Sequence, residues 1–566
     1  MTARPAISVL LVALGLSLAA GCTTQKASPP PAADAPGTQT ELSGAAAAEA
    51  GEVQEIIVTA TRRAESLQDI PMAIAAQAQP TTEFRTESYA RIDESGFRRT
   101  AQAPLSTFSI DVDTAAYANV RRFLTGGALP PADAVRIEEL INYFAYRDAP
   151  PRDGEPFAVH AETFVCPWQP QHELVRIGLK AREIDASVRP EANLVFLLDV
   201  SGSMSDPNKL PLVKRSLELL VDQLNPRDRV AIVVYAGASG LVLEPTRGDE
   251  RARILSALEH LEAGGSTNGG EGIELAYALA QAGHRPGVAS RVILATDGDF
   301  NVGVTSEGEL TRLVEKKARG GVFLSVLGFG MGNYKDSMLE KLADRGNGNY
   351  AYIDTQNEAR KALVEQLSGT LITVAKDVKI QVEWNPALVS AYRLIGYENR
   401  VLADEDFLDD AKDAGEIGAG HHVTALYEVV PAGVPAPGGK VEPLRYQTAR
   451  APRDAAFGTE LATVKLRWKA PDGDESKPLA VAVAAGVTPL AEASADARFA
   501  AAVAAFGMLL RDSEHRGNAS FDEVVALAQP ALRDDPHGLR AEFVSLVRTA
   551  QRLKDERVAA LGAEQR

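Results

Sequence analysis

Short apolar runs alternate with amphipathic segments between residues 189 and 372. The apolar runs predict strands at 193–198, 229–235, 240–243, 291–296, 322–328 and 349–353, and the segments between them predict helices at 208–223, 249–261, 271–282, 307–318, 335–344 and 357–371. Strands that are apolar throughout need cover on both faces, which helices between parallel strands provide. The pattern therefore predicts an α/β fold with a doubly wound, mainly parallel, Rossmann-like sheet.

The segments on either side of this region have different patterns. Residues 83–188 begin with a strand-like run, continue with two helical patterns and end in an alternating stretch, 157–180, that predicts a hairpin. Residues 373–566 contain several β-like runs followed by Ala-rich amphipathic helices. We therefore predict an N-terminal α/β domain at 83–188, a central domain at 189–372 and a β-rich and helical domain at 373–566.

The N-terminus has the pattern of a targeting segment. The apolar run AISVLLVALGLSLA is too short to span a bilayer comfortably and is typical of a signal peptide, here residues 1–21. The following LAAGC, which ends at Cys22, resembles the bacterial lipobox, and the resemblance implies cleavage before Cys22 and acylation of its side chain. Thr23, rather than an aspartate, follows the cysteine, which favours a lipid anchor in the outer membrane, facing the periplasm. A plain secretory signal is the alternative.

Residues 22–82 predict a flexible tether, because Ala, Pro, Ser, Thr and Gly dominate residues 23–52. Within the tether, EIIVTATRRAESLQDIPMAI at 55–74 resembles the start of a TonB-dependent outer-membrane receptor. The β-branched stretch 55–61 is suited to adding a strand to the sheet edge of TonB. The alternatives are an inherited relic and a short strand on the surface of this protein itself.

The net charge argues against nucleic acid and anionic lipid as partners, and the cysteine count argues against disulfide bonds. The formal net charge of −17 leaves no basic surplus to replace phosphate counterions, so we expect no nucleic-acid partner. The same charge repels anionic lipid, so membrane attachment depends on the predicted anchor at Cys22. The chain has two cysteines, and lipidation of Cys22 leaves Cys166 unpaired. We expect Cys166 to be a small buried hydrophobic residue.

Polar side chains follow the first predicted strand of the central region. The run VFLLDVSGSM places Asp199, Ser201 and Ser203 two positions apart, directly after apolar residues. Ligands of doubly wound sheets bind outside the carboxyl ends of the strands, so these three residues are candidates for a binding site. The alternative is a capped turn in which Asp and Ser make only local hydrogen bonds.

Two later segments are expected at the same edge of the sheet. The glycine-rich AGGSTNGGEG precedes a predicted helix and presents Thr267, and the apolar run VILATDGD presents Asp297. All the candidate side chains offer oxygen, and none offers nitrogen or sulfur, which favours a hard cation. Mg²⁺ is the first choice, because few carboxylates and several hydroxyls suit an ion that retains water, and Mn²⁺ or Ca²⁺ are the alternatives.

These three segments together resemble the metal-ion-dependent adhesion site of the von Willebrand factor A (VWA) domain: D-x-S-x-S, a threonine in a glycine-rich loop and a later T-D-G. The resemblance implies that Ser201, Ser203 and Thr267 contact the metal directly. It also implies that Asp199 and Asp297 act mainly through water and hydrogen bonds. Neutral hydroxyls leave the charge of the ion available, so an acidic residue of a protein partner can complete the coordination.

The flanking segments extend the resemblance. PLSTFSIDVDTAAYANVRRFL, DAVRIEELINYF and the C-terminal part resemble the bacterial YfbK-like group of VWA lipoproteins, from about residue 83 to the C-terminus. This group implies metal-dependent binding and no enzymatic activity.

One motif in the N-terminal flank suggests a different chemistry. Asp111 and Asp113, in the run DVDT, resemble the paired aspartates of Mg²⁺-dependent phosphatases, in which the first carboxylate attacks phosphorus.

We therefore predict a cell-envelope lipoprotein, not an enzyme, whose VWA domain binds a divalent ion and, through it, an acidic group on a protein partner. The first alternative is an envelope assembly or TonB-linked factor that acts mainly through the tether. The second is a Mg²⁺-dependent phosphatase at Asp111 and Asp113. The acidic run 403–413 lacks the regular spacing of a Ca²⁺ loop and is predicted to be a solvated loop.

Overall fold

The structure is a computed structural model that describes residues 87–152, 154–185, 189–236, 239–265, 269–298, 307–332, 334–437, 458–471 and 473–564. Contacts join the chain from Pro80 to Arg566 into one unit. The predicted signal peptide, Cys22, the tether with its segment 55–74, and Thr267 all lie outside the described residues. No helix among the described residues is long and apolar enough to cross a membrane.

The strands, in chain order, are Arg98–Arg99 (β1), Leu105–Ser109 (β2), Phe157–Val165 (β3), Glu173–Ala181 (β4), Glu191–Asp199 (β5), Arg229–Tyr235 (β6), Ser239–Arg247 (β7), Val288–Thr296 (β8), Val322–Gly328 (β9), Tyr350–Tyr352 (β10), Thr373–Trp384 (β11), Val389–Ile395 (β12), Gly415–Gly418 (β13), His422–Pro431 (β14), Glu460–Lys469 (β15) and Ser476–Ala484 (β16).

The α-helices are Ala115–Thr125 (α1), Ile137–Asn142 (α2), Leu210–Val221 (α3), Arg251–Glu259 (α4), Gly269–Gly283 (α5), Glu307–Ala318 (α6), Asp336–Arg345 (α7), Gln356–Arg360 (α8), Leu367–Leu371 (α9), Ala495–Arg511 (α10), Phe521–Ala528 (α11) and Leu539–Glu564 (α12). A π-helical turn, Lys361–Glu365, lies between α8 and α9, so the helix predicted at 357–371 is divided.

The central region forms one six-stranded sheet in the order β10-β9-β8-β5-β6-β7. β7 is antiparallel to β6, and every other neighbouring pair is parallel. This confirms the predicted α/β fold with a doubly wound, mainly parallel sheet. β7 is longer than the predicted 240–243, because an edge strand exposes many of its side chains and so needs no continuous apolar run.

Alternate side chains of the central strands enter two different cores. Phe196 and Leu198 of β5 pack with α3 and α4 on one face of the sheet. Val195 and Leu197 pack with α5, α6 and α7 on the other face. Successive side chains of a strand point to opposite faces, so helical cover on both faces requires an apolar residue at every position.

Strands of the two flanking segments pair with each other. One sheet has the order β1-β12-β14-β4-β3, and the other has the order β13-β11-β15-β16 with β2 also paired to β11. The antiparallel pair β3 and β4 confirms the hairpin predicted at 157–180. The inner faces of the two sheets share one apolar core, in which Ile177 and Ile380 take part. Segments 83–188 and 373–566 therefore build a common β structure.

A helical layer completes the flanking part. α1 and α2 contact the C-terminal helices α10–α12 in a core rich in aromatic residues. The rings of Phe144, Phe499 and Phe543 meet edge to face within this core. Cys166 lies in the same core and is fully buried, which confirms the prediction that it is a small hydrophobic residue.

Candidate metal centre at the carboxyl end of the sheet

Asp199 is the last residue of β5 and is fully buried. Its Oδ2 accepts hydrogen bonds from the hydroxyl of Tyr235 at 3.2 Å and from the hydroxyl of Thr296 at 3.1 Å. Tyr235 and Thr296 are themselves the last residues of β6 and β8, the two neighbours of β5. The parallel register therefore brings three strand ends together around one carboxylate.

The turn after β5 holds two serine hydroxyls side by side. The other oxygen of Asp199, Oδ1, accepts a hydrogen bond from the backbone N–H of Ser201 at 2.9 Å. The Oγ atoms of Ser201 and Ser203 lie 3.0 Å apart. Ser201 is buried whereas Ser203 is exposed. Two neutral oxygen donors thus lie between a buried carboxylate and the surface.

The glycine-rich loop is attached to this turn by its backbone. Gly202 N–H donates to the carbonyl of Gly265 at 3.1 Å, and Gly264 N–H donates to the carbonyl of Val200 at 2.8 Å. Gly265 has φ +82°, a conformation that favours glycine. The described part of the loop therefore reaches the serine turn two residues before Thr267, which itself lies outside the described residues.

Asp297 follows β8 and is buried at the same end of the sheet. Its Oδ2 accepts a hydrogen bond from the ammonium group of Lys209 at 3.0 Å. The same ammonium donates to the backbone carbonyl of Ser203 at 3.0 Å. Lys209 therefore joins the serine turn to Asp297, and the two predicted segments meet on one nitrogen atom.

Burial controls the electrostatics of Asp199. It raises the pKa of this carboxyl group to about 6, and the negative charge of Asp297 acts in the same direction. Hydrogen bonds from Ser201 and Thr296 oppose the increase, because they stabilise the charged form. A positive charge placed near this carboxylate would stabilise its ionised form.

The residues present fit a divalent metal ion. The structure places the four described candidates at one edge of the sheet: Asp199, Ser201, Ser203 and Asp297. Their side chains offer only oxygen, the donor that Mg²⁺ and Ca²⁺ prefer, and two of them are buried carboxylates.

Three residues of this site were not identified from the sequence: Tyr235, Thr296 and Lys209. Tyr235 and Thr296 could have been found, because both end strands that neighbour β5. Lys209 carries a weaker signal. It directly precedes α3, where a positive charge meets the positive end of the helix dipole and needs a nearby carboxylate as compensation.

Asp111 and Asp113, the candidate phosphatase residues, are both buried. Arg400 lies 3.4 Å from a carboxylate oxygen of Asp111 and 3.5 Å from one of Asp113. The other oxygen of Asp113 accepts a hydrogen bond from the backbone N–H of Tyr350 in β10 at 2.8 Å. A nucleophilic carboxylate needs open access to phosphorus, and neither aspartate has such access.

A separate group of three acids lies in the flanking β structure. Carboxylate oxygens of Asp377, Asp413 and Glu416 approach one another closely enough to hold a metal ion. Two of the three acids already pair with a cation, because Lys469 lies 2.7 Å from Asp377 and Arg345 lies 3.2 Å from Asp413. Asp413 is exposed, as expected for the acidic run 403–413.

Three family models match different parts of the chain. The model described as "von Willebrand factor type A domain" matches residues 193–366, which include all the candidate metal ligands. The model described as "von Willebrand factor" matches residues 83–176. The model described as "Uncharacterized protein YfbK, C-terminal" matches residues 369–553.

Individual proteins match over different shares of the chain. "Uncharacterized protein YfbK" of Escherichia coli (strain K12) is 45% identical over 464 residues, which cover 80% of this chain and 80% of that protein. Inter-alpha-trypsin inhibitor heavy chain H4 of Homo sapiens is 32% identical over 161 residues, 27% of this chain and 17% of that protein. A solved structure, "von Willebrand factor type A from Catenulispora acidiphila", is 17% identical with a TM-score of 0.39, over 70% of this chain and 91% of that one. The chain therefore belongs to the YfbK family and carries a von Willebrand factor type A domain at its centre.

Proposed function

We propose that the carboxyl end of the central sheet binds Mg²⁺ and that the bound ion binds an acidic side chain of a partner protein. The observation that carries the proposal is the buried carboxylate of Asp199 beside the paired hydroxyls of Ser201 and Ser203, at the edge where the strands end. VWA domains commonly take part in metal-dependent protein interaction, which supports the same conclusion. The chain is thus a binding module rather than an enzyme.

Each residue has a separate task in this proposal. The hydroxyls of Ser201, Ser203 and Thr267 contact the ion, and because they are neutral they leave its charge available to an external carboxylate. Tyr235 and Thr296 hold Asp199 in place by donating hydrogen bonds to its Oδ2. Its Oδ1 accepts the hydrogen bond from the backbone N–H of Ser201 and so positions the serine turn. The ion supplies the concentrated positive charge that the acidic group of the partner needs.

We also infer that the chain is anchored through lipid on Cys22 in the outer membrane and faces the periplasm. The partner is then an envelope protein with an exposed acidic residue. Replacement of Cys22 by Ala should move the protein from the membrane fraction to the soluble fraction. Unchanged membrane association of this variant would contradict the anchor.

Contact with TonB through 55–61 stays a separate prediction. Deletion of those residues, followed by co-purification with the periplasmic domain of TonB, would test it.

Metal binding can be tested with Mn²⁺ as a paramagnetic probe on the full-length chain in detergent. Ser203 and Ser205 are both exposed serines of the same short turn, Gly202–Ser205, so Ser205→Ala is a matched control for Ser203→Ala. We expect Ser203→Ala to weaken Mn²⁺ binding by about tenfold or more, because it loses a hydroxyl ligand, and Asp199→Asn to remove binding, because it loses the buried negative charge beside the ion. Ser205→Ala should bind like wild type. Equal Mn²⁺ affinity in all four proteins would overturn the proposed site.

Partner binding needs a second experiment. Cross-linking in cells with and without EDTA should show a protein adduct that depends on divalent ions. Asp199→Ala and Thr267→Ala should each remove the same adduct while the circular dichroism spectrum stays that of wild type. An adduct that persists after EDTA treatment and in both variants would rule out the adhesion mechanism, even if the site binds metal.

A further inference from the structure

Lys209 places a positive charge inside the proposed metal centre. Its ammonium nitrogen lies 3.0 Å from Oδ2 of Asp297 and 3.0 Å from the carbonyl oxygen of Ser203, and its side chain is only 9% exposed. A third oxygen, from Asp206, lies 3.9 Å away. The ammonium is thus surrounded by oxygen atoms from the same segments that supply the candidate metal ligands.

The path of this side chain is shaped by the fold. A Cβ atom at Gly330 would lie 2.5 Å from Cε and 2.8 Å from Cγ of Lys209, so the stem can pass only because position 330 has no side chain. Gly330 has φ +78°, and its carbonyl accepts a hydrogen bond from the hydroxyl of Tyr352. The backbone that leaves room for the lysine is therefore held in place by a buried tyrosine.

Two buried carboxylates, those of Asp199 and Asp297, lie at this end of the sheet, because Asp199 ends β5 and Asp297 directly follows the neighbouring strand β8. Buried carboxylates that lie close together require a compensating cation, and an ammonium group or a divalent ion can supply it. We propose that Lys209 is an internal competitor of the metal: its ammonium neutralises Asp297 when no divalent ion is bound and has to leave Asp297 when an ion binds. This inference rests on the proposed function, because it concerns the affinity of the same site.

Competition has two consequences. Lys209 stabilises the fold of the site at low divalent concentration, because its ammonium neutralises a buried carboxylate. It also weakens binding, because the ion has to displace a favourable contact and to approach a like charge. The site then fills only where divalent ions are abundant, which makes partner binding responsive to their concentration.

The test uses Lys209→Met in the full-length chain, with Mn²⁺ as the probe. Lys180→Met is the matched control, because Lys180 also donates to a carbonyl, that of Gly420 at 3.0 Å, and pairs with a carboxylate, that of Glu183 at 3.1 Å. We expect Lys209→Met to bind Mn²⁺ about tenfold more tightly than wild type and to be less heat-stable in EDTA. Saturating Mn²⁺ should restore its stability. Lys180→Met should bind Mn²⁺ like wild type.

A second measurement needs no variant. Acetylation of wild-type protein with an N-hydroxysuccinimide ester, followed by mass spectrometry, reports how accessible each lysine amine is. We expect labelling of Lys209 to rise about threefold or more when Mn²⁺ is added, because its ammonium leaves the buried pair. Labelling of Lys180 should not change. If Lys209→Met fails to fold in EDTA, Lys209→Gln retains a polar donor and serves in the binding experiment.

The outcomes separate this inference from the proposed function. If wild type binds no Mn²⁺, both fail. If wild type binds Mn²⁺ but Lys209→Met and Lys209→Gln bind it equally or more weakly, the metal site stands and the competitor role of Lys209 is overturned. Unchanged labelling of Lys209 on saturation with Mn²⁺ overturns that role as well.

Discussion

Asp199 and Asp111 each lie at or just after the end of a strand, and each accepts a hydrogen bond from the backbone N–H two residues further on. The distances are 2.9 Å from Ser201 and 3.0 Å from Asp113. The same local hydrogen bond thus occurs in both places, and both aspartates are buried. The two regions differ in what residues far away in the sequence bring to them.

Around Asp199 the distant residues are neutral hydroxyls, those of Tyr235 and Thr296. Around Asp111 the distant residue is Arg400, whose guanidinium lies within 4 Å of four acids: Asp111, Asp113, Glu340 and Asp344. The negative charge of Asp199 is therefore available to a metal ion, whereas that of Asp111 is already paired with Arg400. A short acidic motif therefore specifies a turn, and its chemistry depends on the residue that the fold places opposite.

The largest test of this difference is the removal of Arg400. Arg400→Met should lower the free energy of unfolding by about 3–5 kcal/mol, because it leaves several buried carboxylates without their cation. Arg345→Met is the control, since Arg345 is 44% exposed and pairs with the exposed Asp413. It should cost less than about 1 kcal/mol. Urea denaturation at neutral pH measures both, and equal losses would mean that the buried cluster is no stronger than a surface pair.

Glu139, a buried acid that pairs with Arg136, should make stability depend on pH. Burial raises the pKa of Glu139 to about 8, although Arg136 next to it acts in the opposite direction. The folded protein therefore holds a proton that the unfolded chain has lost, so the free energy of unfolding should fall between about pH 4.5 and pH 8. We expect Glu139 to account for about 3–5 kcal/mol of this fall.

The slope of stability against pH, rather than stability itself, is the quantity to compare. Glu139→Gln should have a flatter slope over this range than wild type, because the amide does not ionise. Glu183→Gln should keep the wild-type slope, since the carboxylate of Glu183 is mostly exposed. A wild-type slope in Glu139→Gln would show that Glu139 does not hold the proton.

The smallest test concerns the other region, where Gly330 makes room for Lys209. Gly330 and Gly287 have nearly the same φ, +78° and +79°, but a Cβ at Gly287 meets nothing within 4 Å. Gly287→Ala should therefore cost about 1–2 kcal/mol of unfolding free energy from backbone conformation alone. Gly330→Ala should cost about 1–2 kcal/mol more, because the methyl group pushes the lysine stem aside. If both cost the same in thermal denaturation, the stem of Lys209 moves freely.

The sequence predicted the central sheet well because most residues of its inner strands are buried. β6 and β9 have the predicted bounds, 229–235 and 322–328, since a continuous apolar run leaves little choice of position. The serine turn was recognisable for a similar reason, because small hydroxyl residues directly after a buried strand are an unusual pattern. The pairing of the flanking strands was not predictable, because alternation marks a half-buried strand without naming its neighbour.

The roles of Lys209 and Arg400 could not be predicted from local sequence patterns. Each is one lysine or arginine among the 59 in the chain, and nothing beside it in the sequence sets it apart strongly. Lys209 reaches Asp297, 88 residues away, and Arg400 reaches Asp111 at an even greater separation. Their roles depend on the finished fold, which brings two or more distant segments to the same charged group.

The pairing of β4 with β14 has a consequence for how a newly made chain matures. Lys180 lies opposite His422, so one edge of β4 has no neighbour until about 240 further residues of the chain have emerged. During that time the inserted VWA segment can fold first, while the hairpin before it still lacks its neighbour. An unpaired strand edge is prone to pair with other chains, and a truncation between the VWA segment and β14 leaves this edge of β4 without its neighbour.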